Sequence, residues 1–240
     1  MTQPDLFAES GQTVSKDITD DFLPALEADG TLKIPPGLAG LFELSVNACY
    51  AALYAVMSEL PIKRKISHFI EKVERAGNEI TKRDSGEARI AADRAATDRG
   101  DPDVLTILKT AGKVQHEIHR LTGLLRFDTD PNGVYIARSS PDYFVLPALA
   151  SHFYLRFGDT PWAIIDEKRG LCLCRAKNGP VRLLPAQSAG LGNNNPGDTN
   201  SMEELWRLYY HSVNIESRKN LRLRRQFMPE RYQKYLPELQ

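Results

Sequence analysis

Residues 124–137 have the sequence LLRFDTDPNGVYIA, and residues 162–175 have the sequence WAIIDEKRGLCLCR. In each stretch two short apolar runs flank a turn signal, DPNG in the first and EKRG in the second. This pattern predicts two β-hairpins. Residues 144–157, which lie between them, are typical of a helix, and residues 181–184 predict a fifth strand. The middle of the chain therefore predicts a small antiparallel sheet with an inserted helix.

Helices are predicted on both sides of this sheet. An apolar stretch over residues 38–60 predicts a helix that stops before Pro61, because proline cannot continue the hydrogen-bond ladder. Apolar residues three and four positions apart predict a second helix over residues 62–80. Asp101 and Pro102 supply the N-cap and the first turn of a third helix, and further helices follow the sheet. Helices, then strands, then helices indicate the α+β class.

The charge of the chain is balanced overall but not locally. The 240 residues carry 31 Lys and Arg against 31 Asp and Glu, which argues against a uniformly basic nucleic-acid-binding protein. Residues 1–31 hold seven acidic residues and one basic residue, whereas residues 218–234 hold seven basic residues and one acidic residue. The chain is therefore an acidic arm and a basic tail on a neutral body, and only the tail predicts a strong anion-binding surface.

These features predict the domain organisation. Residues 1–33 are expected to form an acidic, mobile arm, residues 34–113 a helical region, and residues 114–240 an α+β domain. A chain of this length can bury a substantial core. We therefore expect residues 34–240 to fold together as one compact unit.

The cysteines and the apolar stretches indicate a cytoplasmic protein. Three cysteines are an odd number, and the chain lacks a basic-then-apolar start, so neither a disulfide framework nor a secretory signal is predicted. The stretch over residues 38–60 carries Glu43, Asn47 and Glu59, which favour a buried helix over a membrane span. We expect no membrane contact.

No metal and no cofactor is predicted. His116 and His119 lie three positions apart on the third helix, but the sequence has neither the HExxH spacing nor a Cys and His cluster with ligand spacing. Cys172 and Cys174 share one face of a predicted strand, where small core residues are expected.

Two groups of residues are candidates for chemistry near the sheet. Asp166 ends an apolar strand before a tight turn, where an acid acts either as a catalytic carboxylate or as an acceptor for turn amides. Arg126 and Arg156 interleave with apolar residues, so they either pair with internal acids such as Glu117 and Asp142 or form an anion site. Both alternatives stay open for each group.

The basic tail combines guanidinium groups with amides and aromatic rings. Guanidiniums and amides contact phosphates and base edges, and aromatic rings stack on unpaired bases. A solvated basic helix has a similar composition. The candidate nucleic-acid-binding residues of the tail are Arg218, Asn220, Arg222, Arg224, Arg225, Gln226, Arg231 and Tyr232.

Several blocks in the second half of the chain resemble a known family. They are residues 117–127, His152 and Phe153 with Arg156, residues 162–166 with Arg169, and, in the tail, residues 205–206, 209–210, 215–216, 226–229 and 231–232. Over residues 114–240 the chain resembles a bacterial domain of unknown function described as a probable DNA metabolism protein. Domains of this family occur fused behind uracil-DNA glycosylase-like domains or encoded beside a radical SAM protein of DNA modification or repair. The resemblance implies a role in DNA metabolism and supplies no reaction.

We therefore expect a protein that binds DNA or a damaged nucleotide through the tail and acts with a radical SAM enzyme as its partner. One alternative is a stand-alone enzyme on a nucleic-acid-derived bond, with His119, His152 and Asp166 transferring protons and Arg126 and Arg156 stabilising anions. It requires these side chains to converge on one pocket. A second alternative is a protein-interaction module, in which the acidic arm covers the tail until a partner arrives.

Overall fold

A computed structural model describes residues 22–81, 85–189, 200–218 and 220–239. Its helices are α1 (Ala39–Leu44), α2 (Val46–Met57), α3 (Lys63–Thr81), α4 (Ser85–Ala96), α5 (Pro102–Leu124), α6 (Leu146–Phe157), α7 (Asn200–Val213), α8 (Leu221–Phe227) and α9 (Glu230–Gln233). Its strands are β1 (Ala25–Leu26), β2 (Leu32–Lys33), β3 (Phe127–Thr129), β4 (Tyr135–Ser139), β5 (Trp162–Asp166), β6 (Leu171–Arg175) and β7 (Val181–Pro185). The α+β class predicted from the sequence is confirmed.

The helix predicted over residues 38–60 is two helices, α1 and α2, that meet at Ser45. Ser45 has an extended backbone, with φ −154° and ψ 108°, and its side-chain oxygen accepts a hydrogen bond from the Ala48 amide at 3.0 Å. Its hydroxyl also donates to Asp93 of α4. A serine hydroxyl can compete with the helix ladder in this way because it bonds the backbone directly. The prediction of one continuous helix is therefore wrong at this residue.

The predicted start of α5 is confirmed, and it joins α5 to α3. The Asp101 carboxylate accepts from the amides of Asp103 and Val104 at 2.8 and 3.1 Å. Lys72 of α3 donates to the same carboxylate at 2.9 Å. The Lys72 hydrogen bond and the helix amides lower the pKa of Asp101 to about 2. Asp101 is thus both the N-cap of α5 and an anchor for α3.

The larger sheet has the strand order β3-β4-β5-β6-β7. Both predicted hairpins, β3-β4 and β5-β6, are present with antiparallel strands. The centre of the sheet differs from a wholly antiparallel arrangement, because β4 and β5 are parallel and α6 connects them. A parallel pair needs such a crossover, since a tight turn reverses the chain. Because β4 and β5 end at the same edge of the sheet, Ser139 lies beside Asp166.

Part of the predicted acidic arm lies on the folded body. β1 and β2 form a hairpin, and the amide of Val181 on β7 donates to the carbonyl of Ala28 at 2.9 Å. Gly30 in the hairpin turn has φ +80°, and a Cβ there would lie 2.8 Å from the carbonyl carbon of Ala150 in α6. Only glycine fits this approach. Residues 22–33 are thus packed against the body, and the rest of the arm, residues 1–21, lies outside the described residues.

One hydrophobic core joins the N-terminal helices to the sheet. It contains Leu41 of α1, Phe69 of α3, Phe153 of α6 and Trp162 of β5, and it reaches the end of the chain through Tyr232. Each of these side chains is at most 2% exposed. The helical region and the α+β region predicted from the sequence therefore share a core. In the described part of the chain, no helix combines the length and the apolarity that crossing a membrane requires.

Candidate nucleic-acid interface

Helix α8 is the exposed element of the basic tail. Arg222 and Arg225 are exposed, Leu221 and Leu223 are each 50% exposed, and Phe227 is 58% exposed. No residue of α8 is buried. Three large apolar side chains of this short helix therefore stay open to water beside exposed arginines.

α8 depends on its surroundings, because an isolated helix of seven residues does not persist in water. The Asn220 side chain accepts from the amide of Leu223 at 3.0 Å, which caps the N-terminus of the helix. Arg120 of α5 donates to the carbonyl of Gln226 at 3.3 Å, near the C-terminus of the helix. The segment that follows, residues 228–239, is attached to the body by the contacts given below and is named the C-terminal latch.

The C-terminal latch is fixed by a buried carboxylate on α5. Glu117 is 1% exposed. Its Oε1 accepts from the Asp142 amide at 2.9 Å, from Arg231 at 3.2 Å and from the Tyr232 hydroxyl, and its Oε2 accepts from the Tyr143 amide at 2.8 Å. Burial and the contact with Glu117 raise the pKa of Tyr232, so its hydroxyl keeps its proton and donates. These four donors hold the latch against α5 and the loop after β4.

Two further contacts hold the latch. Arg126 donates twice to Glu238 Oε1, from Nε at 3.1 Å and from Nη2 at 2.6 Å, and the two side chains are only 13% and 5% exposed. Glu167, in the turn after β5, accepts from the Tyr235 hydroxyl at 2.5 Å and lies 3.4 Å from the Lys234 ammonium group. Arg126 is therefore paired with an internal acid, the first of the two alternatives that its sequence position allows.

Asp166 is fully buried at the end of β5. One carboxylate oxygen accepts from the amides of Lys168 and Arg169 at 3.0 and 3.2 Å, and the other accepts from the Arg169 guanidinium at 2.8 Å. Arg169 also donates to Glu59, just beyond α2, at 3.0 Å. Burial raises the pKa of Asp166, and Arg169 opposes that shift. This geometry satisfies the turn amides and ties β5 to the end of α2 through an ion pair.

The three residues suggested for proton transfer differ in exposure and in hydrogen-bond partners. His119 on α5 and His152 on α6 are exposed, and so is Arg156. Desolvation and the nearby Arg156 lower the pKa of His152. The partners described for the buried Asp166 carboxylate are turn amides and Arg169, so the structure does not bring either imidazole to it. The convergence that a stand-alone enzyme requires is not found among the described side chains.

The structure places the candidate residues of the tail in different surroundings. Arg231 and Tyr232 belong to the latch, and Tyr232 is 2% exposed, so its ring is not available for base stacking. Asn220 uses its side-chain oxygen as a helix cap. Arg224 is partly buried, and its Nε has no hydrogen-bond acceptor within the described part of the chain. The exposed group consists of Arg218, Arg222, Arg225 and Gln226.

The sequence carries a signal that Glu117 is an anchor inside the protein. Pairing of Glu117 with an internal arginine is one of two alternatives that the sequence leaves open, and the same sequence predicts Arg231 and Tyr232 as nucleic-acid-binding residues. Val114, Glu117 and Leu121 lie three and four positions apart and are at most 1% exposed, so this face of α5 points into the core. A glutamate on a buried face requires several donors. That requirement points to an anchor inside the protein.

One group of described side chains has spacing compatible with a cation. Ligand atoms of His68, Asp101 and Asp103 lie within 4.8 Å of one another. However, Lys72 bonds Asp101 at 2.9 Å, and Lys65 lies 3.2 Å from Asp103. Because the two lysines already neutralise the carboxylates, this group is an ion-pair network between α3 and α5 and not a built metal site.

A family model described as Domain of unknown function (DUF4130) matches residues 87–238. The chain belongs to the DUF4130 family. The DUF4130 match begins inside α4, further upstream than the resemblance over residues 114–240, and it contains α8, Glu117 and nearly all of the latch. Neither a curated protein nor a solved structure matches the chain significantly.

Helices α1, α2 and α3 lie upstream of the DUF4130 match. Leu41 and Phe69 from these helices nevertheless belong to the same core as Trp162 and Tyr232. The DUF4130 region of this protein is therefore packed together with the helices that precede it.

Proposed function

We propose that this DUF4130 protein binds nucleic acid through α8 and acts in DNA metabolism, on DNA or on a damaged nucleotide. The observation that supports the proposal is the open surface of α8, where the exposed Arg222 and Arg225 occur with Phe227, which is 58% exposed.

The chemistry of this surface suits a nucleic acid. Guanidinium groups neutralise phosphates, and an exposed aromatic ring stacks on an unpaired base. Residues 218–228 contain five basic residues and no acidic residue, so no carboxylate within that stretch competes with phosphate. Glu230 lies 3.8 Å from Arg225, but the side chains are 78% and 71% exposed, where an ion pair contributes little.

The latch supports this function by holding α8 in place. Arg120 binds the carbonyl of Gln226, and Glu117 binds Tyr232 a few residues later. A binding element that is already ordered loses less conformational entropy when its ligand arrives. The buried contacts of the latch therefore favour affinity at a surface that they do not themselves form.

We propose further that the protein acts with a radical SAM enzyme of DNA repair or modification. The residue blocks that resemble the DNA metabolism family support this part. Co-expression with a radical SAM protein from the same genome, followed by size-exclusion chromatography, tests the partnership. Separate elution of the two proteins at micromolar concentration would refute it.

Fluorescence anisotropy tests the binding of nucleic acid. Labelled single-stranded, duplex and uracil-containing DNA are titrated with the full chain at several salt concentrations. Each phosphate contact to a single strand contributes about 0.7 to the slope of log affinity against log salt, so R222A/R225A is expected to reduce that slope by about 1.4. F227A is expected to weaken single-strand binding by about 1–3 kcal/mol, which is at least about fivefold.

The matched control is R89A/R99A, which removes two exposed arginines in and just after α4 and changes the net charge equally. It is expected to leave the salt slope unchanged. The proposal is refuted if no DNA binds at low salt, or if both double variants lose the same affinity. In that case a protein partner would be the expected ligand of α8, because Leu221 and Leu223 are exposed.

A further inference from the structure

We propose that the acidic N-terminal segment, residues 1–21, is an intramolecular ligand of α8 that competes with nucleic acid. The competition rests on the proposed function, whereas the docking of the segment on α8 does not. The segment lies outside the described residues, so its sequence and the point where it joins the body carry the proposal.

The two partners carry opposite charge. Residues 1–21 contain five acidic residues and one lysine, whereas residues 218–228 contain five basic residues and no acidic residue. An acidic segment is drawn to a basic helix by the same force that draws a phosphate backbone there. Segment and nucleic acid therefore compete for the same guanidinium groups.

The two partners also match in their apolar residues. α8 exposes three large apolar side chains near its arginines, namely Leu221, Leu223 and Phe227. The acidic segment carries Leu6 and Phe7 between Asp5 and Glu9. A contact between them would remove apolar surface from water on both sides while the charges pair. This match selects α8 over a surface that is merely basic.

The segment is long enough to reach α8. It joins the body at Phe22, which is partly buried beside Gly37. An extended chain of 21 residues spans up to about 70 Å. A domain of 240 residues has a radius of gyration of only about 18 Å. Because residues 22–33 are packed on the body, the docking element is confined to residues 1–21.

Tethering makes a weak contact sufficient. A short tether gives an effective concentration on the order of 1 mM. If the segment binds α8 with a Kd of about 0.1 mM as a free peptide, the ratio of occupied to unoccupied α8 in the full chain would be about ten. Nucleic-acid affinity would fall about tenfold as a result.

Charge-removing substitutions in the full chain test the inference. The N-terminal variant D5N/E9Q/D17N/D20N/D21N removes the acidic charges and keeps the length of the segment. The matched control E43Q/E71Q/E79Q/E87Q/D159N removes five exposed acids of the body, so both proteins have the same net charge. The N-terminal variant is expected to bind single-stranded DNA about tenfold more tightly than the control at low salt, with the difference shrinking as salt screens the charges. Equal affinities would overturn the competition.

A second readout involves no nucleic acid. A labelled peptide of residues 1–21 is titrated with the N-terminal variant, whose own segment no longer competes. Saturable binding that is lost when R222A/R225A is added, and kept when R89A/R99A is added, supports docking on α8. No binding up to 1 mM protein, about ten times the Kd used above, overturns it.

The two readouts separate the inference from the proposed function. If the peptide binds α8 but neither full-length protein binds DNA, the docking stands and the proposed function falls. If both proteins bind DNA equally, the proposed function stands and the competition falls.

Discussion

Replacing Glu117 by glutamine is expected to loosen the attachment of the C-terminal latch. Glutamine keeps the size of the side chain but replaces one carboxylate oxygen by a nitrogen that cannot accept. Oε1 now serves the Asp142 amide together with Arg231 and Tyr232, and Oε2 serves the Tyr143 amide. One oxygen cannot serve both backbone amides, so in either orientation the buried side-chain NH₂ of the glutamine faces a backbone N–H, and neither donor has an acceptor.

The magnitude follows from these contacts. A buried donor without an acceptor costs about 1–3 kcal/mol. Arg231 is 35% exposed and keeps Asp142 as a carboxylate partner at 2.8 Å, so the loss of the Glu117 charge adds only about 1 kcal/mol. E117Q should therefore lower the free energy of unfolding by about 2–4 kcal/mol. Y232F removes a single donor and should cost about 1.5 kcal/mol. Because both substitutions remove the same hydrogen bond, the double variant should cost less than their sum.

Guanidinium unfolding followed by far-UV circular dichroism measures these differences. E71Q, at an exposed position on α3, is the matched control and should stay within about 0.5 kcal/mol of the wild type. An E117Q midpoint equal to that of E71Q would refute the role of Glu117 as the anchor of the latch. Strict additivity of E117Q and Y232F would refute the hydrogen bond between them.

Three further predictions concern the body. D101A removes the N-cap of α5 and should lower the free energy of unfolding by about 1 kcal/mol at pH 7. The pKa of Asp101 is lowered from 3.8 to about 2 in the folded state, so the wild type should lose this stabilisation as the pH falls through that interval. Urea unfolding midpoints measured across that pH range test this. G30A brings a Cβ to 2.8 Å from the Ala150 carbonyl carbon at positive φ and should lower Tm by at least about 2 °C in calorimetry. Iodoacetamide at about pH 8 should modify Cys174 before Cys49. Burial raises the pKa of Cys49 to about 11, whereas a hydrogen bond with Cys172 lowers the pKa of Cys174. Peptide mass spectrometry gives the order of labelling. A flat acid profile, an unchanged Tm or the reverse order of labelling would contradict them in turn.

The helices and hairpins that the sequence predicts depend on signals within a few positions of one another. Asp101 and Pro102 mark the start of α5 whatever lies around them, and the DPNG and EKRG turns define both hairpins. The break at Ser45 is different, because this residue ends a helix by means of its own backbone contact and a partner in α4. The parallel pairing of β4 and β5 likewise depends on where α6 packs, which no local pattern records.

The residue types of the candidate site could be predicted from the sequence, but the contacts between their side chains could not. The tail is visibly basic and aromatic, but its contacts join distant positions: Glu117 and Tyr232 are 115 residues apart, and Arg126 and Glu238 are 112 apart. Such pairings are set by the packing of the whole chain. For this reason the sequence could not separate Arg222 and Arg225, which stay in solvent, from Arg231, which turns inward.

The late position of Tyr232 in the chain has a consequence for the time at which the fold can be completed in the cell. A ribosome makes the chain from its N-terminus, so α5 and the five-stranded sheet exist before the residues that fill the site beneath them. During that interval Glu117 lacks its partners Arg231 and Tyr232, and the part of the core that Tyr232 and Leu236 later fill is exposed to solvent. Closure of the core therefore waits for residues 232–236, which are made after every strand of the sheet. A chain truncated before Arg231 would lack these buried side chains, and its core would stay accessible to proteases and chaperones.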